Sequence, residues 1–173
     1  STSLLPMLTG LSALAIRSVG RLPGNLASEL QGLGYHTVSY ESFSGVSRRL
    51  LPKVHATKMG FDQLMHTKGS EAIGAEIAET IRARSEGKPL FFYAHLPEPH
   101  AHYERHPGFD FGASSRGRYT SEVAFVDAQL GALIDALRDM GRLDETILIV
   151  TADHGEAFFE HGVMAHGTTV YEE

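Results

Sequence analysis

The stretch Tyr119-Thr-Ser-Glu-Val-Ala-Phe-Val-Asp-Ala-Gln-Leu130-Gly-Ala-Leu-Ile-Asp-Ala-Leu-Arg-Asp-Met-Gly141, with Thr146-Ile-Leu-Ile-Val-Thr151 after it, sets the fold class. Tyr119, Val123, Val126, Leu130, Leu133, Leu137 and Met140 recur at alternating spacings of four and three, the period of an amphipathic helix, and Gly141 is a helix stop. The run that follows is apolar throughout its middle and rich in β-branched side chains, which predicts a strand covered on both faces. The same helix-to-strand unit occurs twice upstream. Leu22, Leu26, Leu30 and Leu33 share one helical face that ends at Gly32 and Gly34, and Tyr35-His-Thr-Val-Ser-Tyr40 has strand composition. Ile73, Ile77 and Ile81 keep helical spacing within 71–86, Gly87-Lys-Pro89 stops the helix, and Leu90-Phe-Phe-Tyr-Ala94 is a short buried strand. Residues 41–69 carry no clear period and read as mostly loop with a short helix. Helices alternating with wholly apolar strands define an α/β fold, a mostly parallel sheet with helices on both faces.

Composition narrows the function. At 173 residues the chain has one domain's length, and 42% hydrophobic with 21% charged residues is an ordinary globular balance. No apolar run approaches the roughly 18 residues of a membrane span. The net charge is −6 and the Lys and Arg residues are scattered, which excludes the basic footprint of a nucleic-acid binder. With no cysteine there is no disulfide, thiolate metal site or thiol nucleophile in this chain. Histidine is the abnormal count: 10 in all, seven of them (His95, His100, His102, His106, His154, His161, His166) in the C-terminal half.

In an open α/β sheet the functional loops lie beyond the carboxyl ends of the strands. The loop after 90–94 reads His95-Leu-Pro-Glu-Pro-His-Ala-His-Tyr103, and that after 146–151 contains Asp153, His154, Glu156, Glu160, His161 and His166, so both are expected on one sheet edge. Asp153 and His154 stand where the chain turns, and a carboxylate beside an imidazole suits a divalent ion; alternatively, Asp153 caps the following turn and His154 is a polar loop residue. His100 follows Pro99 in a rigid turn and can serve as acid, base or oxyanion contact. His95, His102 and His106 read as solvated loop residues. Glu156, Glu160 and His161 read as a solvated rim, and His166 as a substrate contact.

The ordered set Tyr119, Asp127, Gly131, Leu137, Asp144, Thr146, Thr151-Ala-Asp-His-Gly-Glu156 and His166-Gly167 resembles the sulfatase branch of the alkaline phosphatase superfamily. Pro99-His-Ala-His-Tyr103 resembles that family's Pro-His-x-Pro-Tyr turn, with His102 in place of the usual Pro, and Leu8-Thr-Gly10 resembles the Leu-Thr-Gly that follows its nucleophile. The resemblance implies an alkaline-phosphatase-like α/β sandwich. It makes Asp153 and His154 metal ligands for a divalent ion (Ca, Mg, Mn or Zn), and gives His100 and His166 the oxyanion or the leaving oxygen. The implied nucleophile falls just upstream of Ser1, or on Ser1 with one residue of slippage, and the acidic ligands of the first strand fall upstream too. Residues 1–173 are therefore expected to be a partial catalytic domain, incomplete at both ends.

The function so implied is metal-dependent hydrolysis of a sulfate or phosphate ester, with an anionic ester as the partner molecule. A phosphoethanolamine or phosphoglycerol transferase of the same superfamily is the alternative, since Leu4 stands near where a sulfatase carries Arg. A non-catalytic metal- or anion-binding chain is a third reading. The resemblance is compatible with a periplasmic or extracellular-facing parent protein.

Overall fold

The computed structural model describes residues 4–11, 24–42, 60–67, 71, 73–83 and 87–167; Ser1, Leu22 and most of 41–69 lie outside them. Two compact units divide the chain, Ser1–Pro97 and Glu98–Glu173.

The first unit contains α1 (Leu4–Thr9), α2 (Leu26–Gly32), β1 (His36–Ser42), β2 (Gln63–Thr67), α3 (Ile73–Ala83) and β3 (Leu90–His95). The strands form a parallel sheet in the order β2-β1-β3, with Val38 beside Gln63 on one side and Phe92 on the other. A parallel pair needs a crossover, and α3 supplies it between β2 and β3. Central β1 has Thr37, Val38, Ser39 and Tyr40 all buried, because helices cover both of its faces. On one face the Tyr40 hydroxyl donates to the Glu76 carbonyl of α3 at 3.1 Å and its ring lies 5.9 Å from Phe92. On the other, Leu8 of α1, Ala27 of α2 and Phe61 form a cluster against which Leu64, Phe91 and Tyr93 pack. The class read from the sequence, α/β with a parallel sheet and helices on both faces, is the class observed.

Two local readings change. The expected leucine stripe is not the buried face of α2: Leu26 and Leu33 are exposed and Ala27 is buried. Asn25 caps the helix in a reciprocal pair with Ser28, so it starts only at Leu26. A seven-residue helix has fewer than two turns, and the small Ala27 lets it approach the sheet closely. β2 lies inside the segment read as loop, where Gln63-Leu-Met-His-Thr67 is too polar for a buried strand; among the described residues it stands at the edge of this sheet.

A polar knot joins α2, β1 and the start of β2. Asp62 Oδ2 accepts from the Thr37 amide at 2.8 Å and from the Thr37 hydroxyl at 3.2 Å. That hydroxyl oxygen accepts from the Asp62 amide at 3.0 Å and from Gln31 Nε2 at 3.1 Å.

The second unit contains α4 (Ser115–Asp139), a 3-10 turn (Leu143–Glu145) and the short antiparallel pair β4 (Ala157–Phe158) and β5 (Met164–Ala165). The Ser114 hydroxyl accepts from the Gly117 amide at 3.0 Å and caps α4, which begins a turn before the apolar stripe. Its buried residues include Gly117, Ser121, Phe125, Leu133 and Leu137, a row at multiples of four, whereas Val123 of the predicted stripe is exposed. Gly117 is required: a Cβ there would lie 2.6 Å from the Phe111 carbonyl oxygen and 2.7 Å from that of Gly112.

The strand predicted over 146–151 does not form. The segment pairs with no strand among the described residues, and Ile147 and Ile149 are 90% and 81% exposed. Apolar, β-branched composition favours a strand only where neighbours close the ladder and cover its faces, and among the described residues of its own unit this segment has neither.

The backbone bond from Thr37 holds the Asp62 carboxyl below the usual aspartate range, with His36 adding to the effect. A carboxyl depressed by folding contributes stability above its unfolded value, near 3.8, and loses it as pH falls through the lower folded value. Asp62→Asn should therefore cost about 1 kcal/mol at neutral pH. Urea unfolding of both chains across acid pH should show that difference shrinking as pH drops.

Candidate active site

Glu122 of α4 is 2% exposed, and its carboxylate faces the loop that carries His100. Oε2 accepts from the His100 amide at 3.0 Å and Oε1 from the Glu104 amide at 2.7 Å, so one side chain holds the backbone on both sides of Tyr103. Tyr103 stands edge-on to Tyr119, with ring centroids 5.7 Å apart and planes at 84°, and 6.1 Å from Phe158 of β4. Arg116 lies over the Phe158 ring, its guanidinium 5.2 Å from the centroid, and pairs with Glu160.

The hairpin returns His166 to the site. Ala157 pairs with Ala165, so Glu156 and His166 flank that pair and come together. His166 Nδ1 is 2.9 Å from Glu156 Oε1, and Oε2 of the same carboxylate accepts from the Tyr103 hydroxyl at 2.8 Å. Burial and the Glu156 carboxylate push the Tyr103 phenol well above its ordinary value, which keeps it a donor. Glu156 is thus not the solvated rim residue that the sequence predicts: its side chain is 4% exposed. Ala165, just before His166, holds φ +68, a left-handed conformation uncommon for a residue with a side chain.

The four residues singled out from the sequence converge in this unit. The His154 and His166 ring centroids are 3.9 Å apart, those of His100 and His166 6.1 Å, and Asp153 Oδ1 is 3.6 Å from His154 Nε2. The imidazoles share one arrangement. Nδ1 of His100 lies 2.6 Å from the Ala101 carbonyl oxygen, Nδ1 of His154 2.8 Å from that of Gly155, and Nδ1 of His166 2.9 Å from the Glu156 carboxylate. A carbonyl oxygen only accepts, so Nδ1–H is the donor in the first two, and Nε2 keeps its lone pair when the ring is neutral.

His106 stacks on Phe125 with centroids 3.8 Å apart and planes at 6°, a packing role rather than the solvated one predicted, and its buried Nε2 has no partner among the described residues. His102 and His161 are exposed, and His95 ends β3 in the first unit.

Asp153 and His154 fit the donor chemistry of a divalent ion. Two ligands about 2.0–2.2 Å from one ion sit roughly 3–3.6 Å from each other, the separation of Oδ1 and Nε2, and the Gly155 carbonyl fixes the His154 ring as outer-shell partners do. The pair is incomplete by itself: among the described residues no group of three His, Asp or Glu side chains could hold an ion.

Comparison with solved structures gives the class. The fold is similar to that of a protein in the alkaline phosphatase superfamily from Vibrio parahaemolyticus, which aligns over 79% of this chain and 38% of its own, at TM-score 0.58 and 19% identity. The lipoteichoic acid synthase LtaP from Listeria monocytogenes aligns over 82% of this chain and 40% of its own, at TM-score 0.63 and 14% identity. Within that class the Sulfatase family model matches residues 1–172, and the chain belongs to the sulfatase family, whose members generally use a divalent metal ion. Arylsulfatase A from Bos taurus is 37% identical over 86 residues, which are 49% of this chain and 16% of the bovine protein.

Burial raises the Glu122 carboxyl above the ordinary glutamate value of 4.5, against the pull of the two amides, with Glu98 adding to the rise and His106 opposing it. A carboxyl raised by folding stabilises most below its unfolded value, and the contribution declines as pH rises through the folded one. Unfolding curves should show the stability of the wild type relative to Glu122→Gln falling as pH rises above 4.5. Glu122→Ala, which strands both amides, should lose about 1–3 kcal/mol.

Proposed function

We propose that the chain is part of the catalytic domain of a metal-dependent sulfatase that hydrolyses a sulfate ester, with phosphate esters as the related substrate class. The observation that carries this reading is the convergence of His100, His154 and His166 beside Asp153 in a chain of the sulfatase family. Sulfatase relatives such as arylsulfatase A support sulfate as the ester type.

In this reading Asp153 Oδ1 and His154 Nε2 would hold the divalent ion with further ligands from outside the described residues. The ion, when bound, supplies positive charge to an ester oxygen and lowers the cost of the charge that develops there. His154 is oriented for that role by its own Nδ1–H bond to Gly155. His100 and His166 would contact the oxyanion as imidazolium, protonated at Nε2 as well as at Nδ1, and either can hand the Nε2 proton to the leaving oxygen while keeping the one on Nδ1. The resemblance would put the nucleophile near Ser1, which is outside the described residues.

Asp153→Ala and His154→Ala should each lower bound metal per chain after loading with Mn(II) or Ca(II). Turnover of an aryl sulfate should fall by about 100-fold or more, as loss of several kcal/mol of charge stabilisation requires. Unchanged metal content in both variants overturns the ligand assignment. Turnover of aryl phosphate without aryl sulfate, or transfer of the phosphoryl group to glycerol, identifies the transferase chemistry instead.

Substitution of either histidine by Ala tests the remaining roles. His100→Ala and His166→Ala should lower kcat by about 100- to 10,000-fold, the range of general acid–base groups, while metal content stays at the wild-type level. Loss of metal in these variants would make them ligands rather than substrate contacts.

A further inference from the structure

The carboxylate that touches His166 is itself fully engaged. Glu156 is nearly buried, with one oxygen on His166 Nδ1 at 2.9 Å and the other taking the Tyr103 hydroxyl proton at 2.8 Å. Tyr103 is in turn fixed from two sides, by aromatic contacts with Tyr119 and Phe158 and by the Glu122 bonds to the backbone on either side of it. A buried carboxylate needs partners on both oxygens, and here the two partners are a phenol that only donates in this setting and an imidazole nitrogen.

We propose that Glu156, held by Tyr103, is the positioning residue of His166: it fixes the ring as the Nδ1–H tautomer and leaves Nε2 as the atom that meets the substrate. A free neutral imidazole carries its proton mostly on Nε2, so a ring that must gain and give up a proton at Nε2 needs an acceptor that keeps the other proton on Nδ1. For His100 and His154 a neighbouring carbonyl does this locally. For His166 the hairpin brings Glu156 from ten residues away. The strained backbone of Ala165 fits this account, since the chain must turn sharply there to bring the ring onto the carboxylate. The proposal rests on the sulfatase reading for what Nε2 does, but the tautomer itself does not depend on it.

Long-range proton–nitrogen NMR of the nitrogen-15-labelled chain, recorded above the ordinary imidazole pKa of about 6.5, reports which ring nitrogen carries the proton. His166→Asn assigns the signal. The wild type should show His166 as Nδ1–H. In Glu156→Ala the signal should move to the Nε2–H form or to an average of the two, and Glu156→Gln, whose amide oxygen still accepts, should restore most of the Nδ1–H population. Tyr103→Phe should give an intermediate shift, because Glu156 loses its second anchor.

An Nε2–H ring in the wild type, or an unchanged ring in a Glu156→Ala chain whose amide spectrum remains dispersed, overturns the proposal. If Glu156→Ala does not fold, the wild type and Glu156→Gln spectra still decide, since the first must be Nδ1–H and the second must match it. Where the chain turns over aryl sulfate, Glu156→Ala should lower kcat by about 10- to 100-fold with KM little changed, and Gln should recover most of the loss. Absence of turnover in the wild type counts against the sulfatase reading alone, and the tautomer result stands apart from it.

Discussion

The placement of His100, Tyr103, Glu156 and His166 hangs from Glu122. The loop that carries His100 and Tyr103 has no regular structure of its own, and a carboxylate on a long capped helix gives it two fixed points, at His100 and at Glu104. Tyr103 lies between them, so its hydroxyl is held where Glu156 meets it, and Glu156 holds His166. The order of dependence runs from α4 to the loop, from the loop to the hairpin, and from the hairpin to the imidazole. Removing the first link leaves each later side chain chemically intact but without a defined place.

The two carboxylates that organise the units solve the same problem with opposite outcomes. Asp62 and Glu122 both accept backbone amides, yet Asp62 is pulled down and Glu122 pushed up. Solvent decides the sign. Asp62 remains partly hydrated, so the amide of Thr37 adds to a charge that water already supports. Glu122 has lost its water, and two amides do not replace all of that hydration. The buried group therefore costs more to keep ionised, and its two amide bonds fix the loop on which His100 and Glu104 lie.

The periodicity that names the fold also marks where sequence reasoning stops. Ile73 and Ile77 face the core as their spacing predicts, and β3 and β1 stand within a residue or two of their predicted places. Those signals are local: a helix face or an apolar run between turn residues. The 146–151 segment has the stronger strand composition and forms no strand, because pairing is a property of neighbours and not of the segment. β2 was hidden for the converse reason, as a polar edge strand lacks the apolar run that gives a buried one away. Within the site, His100, Asp153, His154 and His166 were legible from residue type and from family resemblance. Glu122 and Glu156 were not, since burial of an acid leaves no trace in spacing; both stand beside residues that read as exposed or apolar, and only tertiary packing strips their water.

The histidines divide by how far their partners lie along the chain. For His100 and His154 the acceptor is the carbonyl of the next residue, so the ring's rotation is set by a bond that a short turn makes by itself. His166 has no such neighbour in contact; its acceptor is ten residues away, and that acceptor's second partner lies another 53 residues from it. Local bonds survive loosening of the fold, whereas a relay through Tyr103, Glu156 and His166 exists only when loop, helix and hairpin are all in place. The last ring to be positioned is therefore the one whose orientation reports whether the unit as a whole is assembled.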